Sequence, residues 1–286
     1  MRTWIFFHAN CLDGFGAAYA AWRKYGFGGA TYRACSYDEG EDPFDICEAG
    51  DEVFVLDFSF KRDILLRQRE RLKITVIDHH KTAEEDLRGL DFCIFDMNHS
   101  GAVLAWKYFH PEKPVPKLLR HIEDRDLWKF QMFETKEITS ALRSMSHNFE
   151  VWEKHMTDTS ALSEVGAIQC AVIGEQVRIV TERYGWLEMK GHRIPAVNSP
   201  LHPSEIGHEL LRLFPTVDFA AIFFDWEKET PEGRRWFRTY SLRAERGFDV
   251  GAMAKSFGGG GHRNASGFTV ELGRESYGHH DIVPVP

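Results

Sequence analysis

A chain of 286 residues, 43% hydrophobic and 27% charged, has the composition of an ordinary soluble globular protein that can bury a large core in one or two domains. Its net charge of -8, with no basic stripe, argues against a grip on long duplex nucleic acid, so either the partner is small or bound divalent metal supplies the positive charge. No apolar run is long enough for a membrane span, Met1-Arg2-Thr3-Trp4 enters a strand rather than a signal peptide, and five scattered cysteines without CxxC spacing fit reduced thiols, so the expected location is the cytoplasm.

Trp4-Ile5-Phe6-Phe7 reads as a buried strand that runs into His8, with Asp13 five residues on. The stretch 13–22 is rich in small residues and reads as a helix able to pack closely on a sheet; Gly26, Gly28 and Gly29 end it. A second strand is expected over 30–37. Val53-Phe54-Val55-Leu56 is a third, running into Asp57, and Phe60 to Arg71 fits a helix of period 3.6. Ile74 to Ile77 is a fourth strand, ending in Asp78-His79-His80, and Phe92 to Phe95 is a short fifth that ends at Asp96. Asn98 or Ser100 can cap the helix 101–109. Leu118 to Glu123 continues as helix after three prolines. Strands alternating with helices imply βαβ units and a mainly parallel sheet.

From Lys136 to Tyr184 the pattern is helical and reads as a connector. A different grammar follows: a hairpin turning near Gly191, a helix capped by Ser204, neighbouring strands over 219–226 and 236–244 around Pro231-Glu232-Gly233, a helix over 249–257, and the run Gly258-Gly259-Gly260-Gly261-His262-Arg263. The expected fold class is therefore α/β, a parallel-sheet domain followed by a smaller α+β domain. The tail from Arg274 is expected to be loose.

Three buried strands that each deliver a metal ligand at the same end are a convergence that core packing does not require. In open α/β sheets ligands bind outside the carboxyl ends of the strands. His8, Asp13, Asp57, Asp78, His79, His80 and Asp124 form a mixed imidazole and carboxylate set suited to manganese, magnesium or zinc. A carboxylate bridging two such ions gives a two-metal clamp for in-line attack at phosphorus. Four glycines let backbone amides approach an anion, with His262 and Arg263 adding charge, although a flexible loop has the same composition. Asn98, Ser100 and Gly101 can present amides to a phosphate or serve as a plain helix cap. Trp226, Trp236 and Phe237 can stack on a base or fill a core.

Asp78-His79-His80 after an apolar strand, His8-x-x-x-x-Asp13-Gly14 upstream and Gly258-Gly-Gly-Gly-His262 near the end together resemble the DHH phosphoesterases with a DHH-associated second domain, the group of RecJ-type exonucleases and NrnA-type oligoribonucleases. The resemblance spans roughly residues 4 to 272 and implies a catalytic domain over 1–135, the helical connector over 136–185, a substrate-binding domain over 186–273, a tail over 274–286, and an active site in the cleft. It implies two manganese ions: His8 and Asp57 on one, Asp13, Asp57, His79 and Asp124 on the other, Asp57 bridging. Asp78 would orient the imidazoles and His80 would face the scissile phosphate. Asp124 is preferred to Asp126 because the fourth acid of the family lies four residues before an aromatic, here Trp128.

Arg243 would face the cleft, or be a solvated strand end, and Gly259, Gly260, Gly261, His262 and Arg263 would clamp the substrate. One departure stands out: relatives carry Asp-x-Asp-Gly where this chain has Cys11-Leu12-Asp13-Gly14. Cys11 is then either a softer ligand that favours zinc or a thiol that binds no metal. The implied activity is metal-dependent hydrolysis of phosphodiesters in short oligonucleotides or small nucleotides. The alternatives are a phosphatase of 3',5'-bisphosphate nucleotides, an inorganic pyrophosphatase and a nucleotide sensor without turnover. A homodimer is left open.

Overall fold

The apolar strands of the first sheet all run one way. In the computed structural model, which describes residues 1–36, 43–230, 233–245, 247–272 and 282–283, the chain divides into two compact units, Met1–Cys170 and Ala171–Pro286. The first opens with β1 (Thr3–His8), α1 (Leu12–Gly29), β2 (Thr31–Cys35) and β3 (Glu52–Leu56), followed by α2 (Arg62–Arg69), β4 (Lys73–Asp78), α3 (Lys81–Asp86) and β5 (Cys93–Phe95). The helices α4 (Gly101–Phe109), α5 (Lys117–Asp126), α6 (Thr135–Arg143), α7 (Phe149–Glu153) and α8 (Ser160–Thr181) complete it, the division falling inside α8.

The strand order is β2-β1-β3-β4-β5 and every pairing is parallel. Ile5, Val53, Val55, Leu56, Val76 and Ile77 are wholly buried, as strands covered on both faces must be. The order reverses between β1 and β3, which places a topological switch point there, where doubly wound sheets open a crevice for ligands. Small residues bring α1 close to its neighbours: a Cβ on Gly16 would lie 2.8 Å from the Cβ of Ala102 in α4.

The stretch read from sequence as a connector is helical, and its first half contributes Ile138, Ala141, Leu142, Phe149, Trp152 and Leu162 to the same core as α1 and α4. The apolar periodicity of these helices therefore belongs to this core.

The second unit has β6 (Gly185–Met189), β7 (His192–Asn198), α9 (Pro203–Leu213), β8 (Phe219–Thr230), β9 (Gly233–Ala244), α10 (Val250–Lys255), β10 (Gly260–Gly261), β11 (Ala265–Leu272) and β12 (Ile282–Val283). Its sheet is ordered β10-β11-β9-β8-β7-β6-β12, antiparallel except between β7 and β8. The expected hairpin turns through Lys190 and Gly191, both at positive φ (48° and 83°) as a two-residue turn requires. Ser204 is not the cap of α9. His202 holds that place, Pro203 opens the helix, and the Ser204 hydroxyl accepts from Arg243 instead. Pro231, Glu232 and most of the tail fall outside the described residues, while Ile282–Val283 pairs with β6.

Asp51 fixes the entrance to the first sheet. It is buried, and its carboxylate accepts from the Arg2 amide (2.7 Å), the Trp4 indole (3.0 Å) and the Glu48 amide (3.0 Å). Those donors, the Arg2 amide foremost, hold its carboxyl below the usual range. Asp51→Ala leaves the three donors without their acceptor and is expected to lower stability by about 1–3 kcal/mol in urea denaturation. Divalent-ion affinity at the other end of the strands should not change.

Candidate metal centre

Three strand ends supply the centre. His8 closes β1, Asp57 follows β3, and Asp78, His79 and His80 end β4 and lead into α3. Asp57 sits in the left-handed region (φ 51°), which turns its side chain back across the strand ends, while its amide still donates to Ile77 O at 2.9 Å. Such a conformation costs a non-glycine residue about 1–3 kcal/mol and is characteristic of functional sites.

Asp57 is buried. Among the described residues neither of its carboxylate oxygens accepts a hydrogen bond. Imidazoles nevertheless stand within ion-pair reach: His79 Nε2 lies 3.1 Å from Asp57 Oδ1 and His8 Nδ1 3.5 Å from Oδ2. His79 Nε2 also lies 3.4 Å from Asp13 Oδ2 and 3.5 Å from Asp126 Oδ2. One imidazole nitrogen thus faces three carboxylates. Ligand atoms of His8, Cys11 and Asp57 lie within 4.8 Å of one another, and so do those of Asp13, His79 and Asp126. These are the separations expected of donors around ions with bonds of about 2.0–2.3 Å.

The electrostatics follow from the crowding. Burial, then the charges of Asp57 and Asp126, push the Asp13 carboxyl well above the usual range. Burial also opposes a charge on Asp57, but the imidazoles of His79 and His8 outweigh it and hold that carboxyl well below. Burial works against the His79 imidazolium, yet the surrounding carboxylates, Asp57 first, lift it to about 11. The Cys11 thiol is pushed well up by burial and by Asp57, Asp126 and Asp13. The orphaned Asp57 oxygens and the mixed oxygen, nitrogen and sulfur donors fit divalent cations, whose positive charge would bring down the raised Asp13, His79 and Cys11.

Asp78 plays a different part. Its Oδ2 accepts from Ser59 Oγ at 2.6 Å, and its Oδ1 accepts from the His79 amide (2.7 Å) and faces His80 Nδ1 (2.7 Å). Both oxygens are occupied, so Asp78 orients its neighbours. Ser59 went unnoticed in the sequence because a serine three residues past a strand carries no distinctive signal.

The structure corrects the choice of acid in α5. Asp124 turns away: its carboxylate accepts from the amides of Gln131 (2.8 Å) and Met132 (3.0 Å) and from Thr135 Oγ1 (2.6 Å), organising the turn into α6. Asp126, two positions along the helix and so on its opposite side, is the acid beside His79. Counting residues to an aromatic could not reveal which helix face met the sheet.

A second correction concerns α4. Its first amides are already taken: Gly101 N and Ala102 N donate to Asp13 (2.6 and 3.0 Å), Ser100 N to Glu123 (3.0 Å) and Val103 N to the capping Ser100 Oγ (3.5 Å). Asn98 folds back on Asp96 through its amide and side chain. This helix start therefore binds the protein's own carboxylates. Gly101 has to be glycine, since a Cβ there would lie 2.5 Å from the Cβ of Asp57.

Within the second unit, the glycine run does not offer an open row of amides. Gly258, Gly259 and His262 donate to Lys255, Ala254 and Ala265 carbonyls, and Gly260–Gly261 forms β10. A Cβ on Gly259 would lie 2.1 Å from Gly267 O, so close backbone approach explains this glycine. Arg263 donates to Gly247 O, and Arg243 donates to Ser204 Oγ and Leu242 O. Trp226 stacks on Phe237 with centroids 4.9 Å apart and donates to Thr239.

No family model matches the sequence. A relative from Acanthamoeba polyphaga mimivirus, the uncharacterised protein R106, is 31% identical over 288 residues, covering 92% of this chain. The chain spans 66% of that relative's length, just under two thirds. Among solved structures, the pGpG-specific phosphodiesterase PggH from Vibrio cholerae is 12% identical, with a TM-score of 0.47 and coverage of 97% of this chain and 95% of that one. A RecJ exonuclease bound to manganese is 13% identical, with a TM-score of 0.45 and coverage of 96% and 87%. RecJ from Thermus thermophilus, in complex with manganese, is 11% identical, with a TM-score of 0.46 and coverage of 93% and 49%. Among the described residues no helix is long and apolar enough to cross a membrane.

Two outcomes follow from the geometry. Asp126→Asn is expected to weaken divalent-ion binding on the order of tenfold in equilibrium dialysis. Asp124→Asn should leave that affinity near wild type and cost about 1–3 kcal/mol in urea denaturation; the reverse pattern would restore Asp124 to the centre.

The second outcome concerns acid. Burial opposes charge on Asp78, but His80 and the hydrogen bonds around it hold the carboxyl at about 2, against about 3.9 in an unfolded chain. Its contribution to stability is therefore present above pH ~3.9 and lost as pH falls through ~2. The acid limb of the stability curve of the metal-free protein should be flatter in Asp78→Asn by about 2–3 kcal/mol over that interval.

Proposed function

We propose that this chain is a divalent-metal-dependent phosphoesterase that hydrolyses phosphodiester bonds in short oligonucleotides or small nucleotides. The observation that carries the reading is the buried Asp57 carboxylate, its oxygens without hydrogen bonds among the described residues, standing between two donor sets at the carboxyl ends of three parallel strands. His8 and Asp57 would hold one ion, and Asp13, Asp57, His79 and Asp126 the other, with Asp57 shared. Such a pair, when bound, activates water and neutralises charge on the phosphoryl oxygens.

The chain's own residues supply position and a proton. Asp78 anchors His80 at Nδ1, so the imidazolium carries its other proton on Nε2. Burial disfavours that charge, but Asp78 outweighs it and raises the His80 pKa. His80 is partly open to solvent and its ring centroid lies 6.0 Å from that of His8. It can therefore donate from Nε2 to a departing oxygen near the centre. Asp13 links the centre to α4 through two amides, so the ligand set is held by the fold rather than by a loop.

The net charge of -8 favours a few nucleotides over a long strand, since each added phosphate meets an acidic protein. A nucleotide substrate also agrees with the motif order described from the sequence.

The test is turnover with manganese on a dinucleotide, a longer single strand, a 3',5'-bisphosphate nucleotide and pyrophosphate. The expected result is release of mononucleotides from the dinucleotide or short strand. Hydrolysis of pyrophosphate alone would remove the nucleotide reading, and binding without turnover would favour a sensor. Asp57→Asn should lower turnover on the order of a thousandfold, with circular dichroism checking that the fold is intact. Near-normal activity in that variant would sink the assignment.

A further inference from the structure

We propose that Cys11 is a ligand of the cation held by His8 and Asp57, so that this half of the centre takes a thiophilic divalent ion, zinc or cobalt, in preference to manganese or magnesium. The inference rests on the two-cation reading above and deepens it by distinguishing the two halves.

Three observations support it. The ligand atoms of His8, Cys11 and Asp57 lie within 4.8 Å of one another, a spacing that one ion can span. Asp57, 1% exposed, has no hydrogen bond to either oxygen among the described residues, so a buried acceptor is aimed into this group. Cys11 is the N-cap residue of α1, yet its side chain makes no capping hydrogen bond. Serine, threonine, aspartate or asparagine would ordinarily satisfy a helix amide from that position. Here a sulfur stands there that does not.

The two donor sets differ in kind. Asp13, His79 and Asp126 bring two carboxylates and an imidazole, a set for harder ions. His8, Cys11 and Asp57 bring an imidazole, a sulfur and a carboxylate, a set in which thiolate selects for zinc-like ions. Among the described residues Cys11 is the one cysteine of the five in such a group. Coordination would release the thiol proton to solvent, and the positive end of α1 would favour the resulting thiolate.

The experiment is cobalt(II) titration of the full-length protein, followed by absorption spectroscopy and by metal analysis. The expected result is a near-ultraviolet thiolate-to-cobalt charge-transfer band in the wild type that is lost in Cys11→Ser and Cys11→Asp while cobalt is still bound. In competition dialysis Cys11→Asp should shift the preference from zinc towards manganese on the order of tenfold. Cobalt bound without the band, or a band that persists in Cys11→Ser, would overturn the thiolate ligand and leave the two-cation centre standing. No cobalt bound by the wild type or either variant would overturn both. Circular dichroism of each variant confirms that the fold is intact.

Discussion

A buried carboxylate that accepts no hydrogen bond is among the costlier things a fold can contain, and among the described residues Asp57 is one. Even after relaxation, the penalty for burying an ion is on the order of several kcal/mol, here offset by the imidazoles of His79 and His8. The backbone adds to it, since Asp57 occupies the left-handed region. The surroundings are arranged to keep it there. Gly101 omits a Cβ that would collide with it, its own amide is tied to β4, and two imidazoles approach its oxygens. What the surroundings do not provide is a donor for those oxygens. Positive charge from a bound cation would complete the balance.

The neighbouring carboxylates show how differently the same group can be used. Asp13 gives both oxygens to the first amides of α4, where the helix dipole favours negative charge, and still presents one of them to His79. Asp78 gives its oxygens to a hydroxyl, a backbone amide and an imidazole, so it locks geometry. Asp124 is enclosed by amides of the turn that follows it. These environments separate carboxylates that complete the fold from the one that does not complete itself. That sorting singles out Asp57 without reference to any relative.

The same sorting explains what the sequence could and could not reveal. The strand-end positions of His8, Asp57 and His79 were legible because each follows an apolar run, and parallel strands with helical crossovers bring their carboxyl ends together. Asp126 was not, because neighbouring acids on a helix differ only in which face meets the sheet, and tertiary packing sets that rotation. The α4 amides looked available because nothing local shows that Asp13, 88 residues away from Gly101, fills them. The glycine run suggested an anion cradle, but close approach of its backbone to Gly267 is a sufficient reason for Gly259. The groups that looked free already had partners, distant for the α4 amides and near in sequence for Asp124 and Asn98.

A shared carboxylate also constrains what the two halves of such a centre can be. If Asp57 bridges, any change in the ion beside His8 and Cys11 is felt by the ion beside His79, because both draw on one negative charge. A thiolate would bring one negative charge to the first side, against the carboxylates of Asp13 and Asp126 on the second, so the two ions would draw unequally on the bridge. The sulfur would change the kind of ion the first side prefers, while the second side, beside Asp13 and Asp126, keeps the donors of a harder ion. The unequal donor sets and the common bridge make metal selectivity a property of the whole centre rather than of either half.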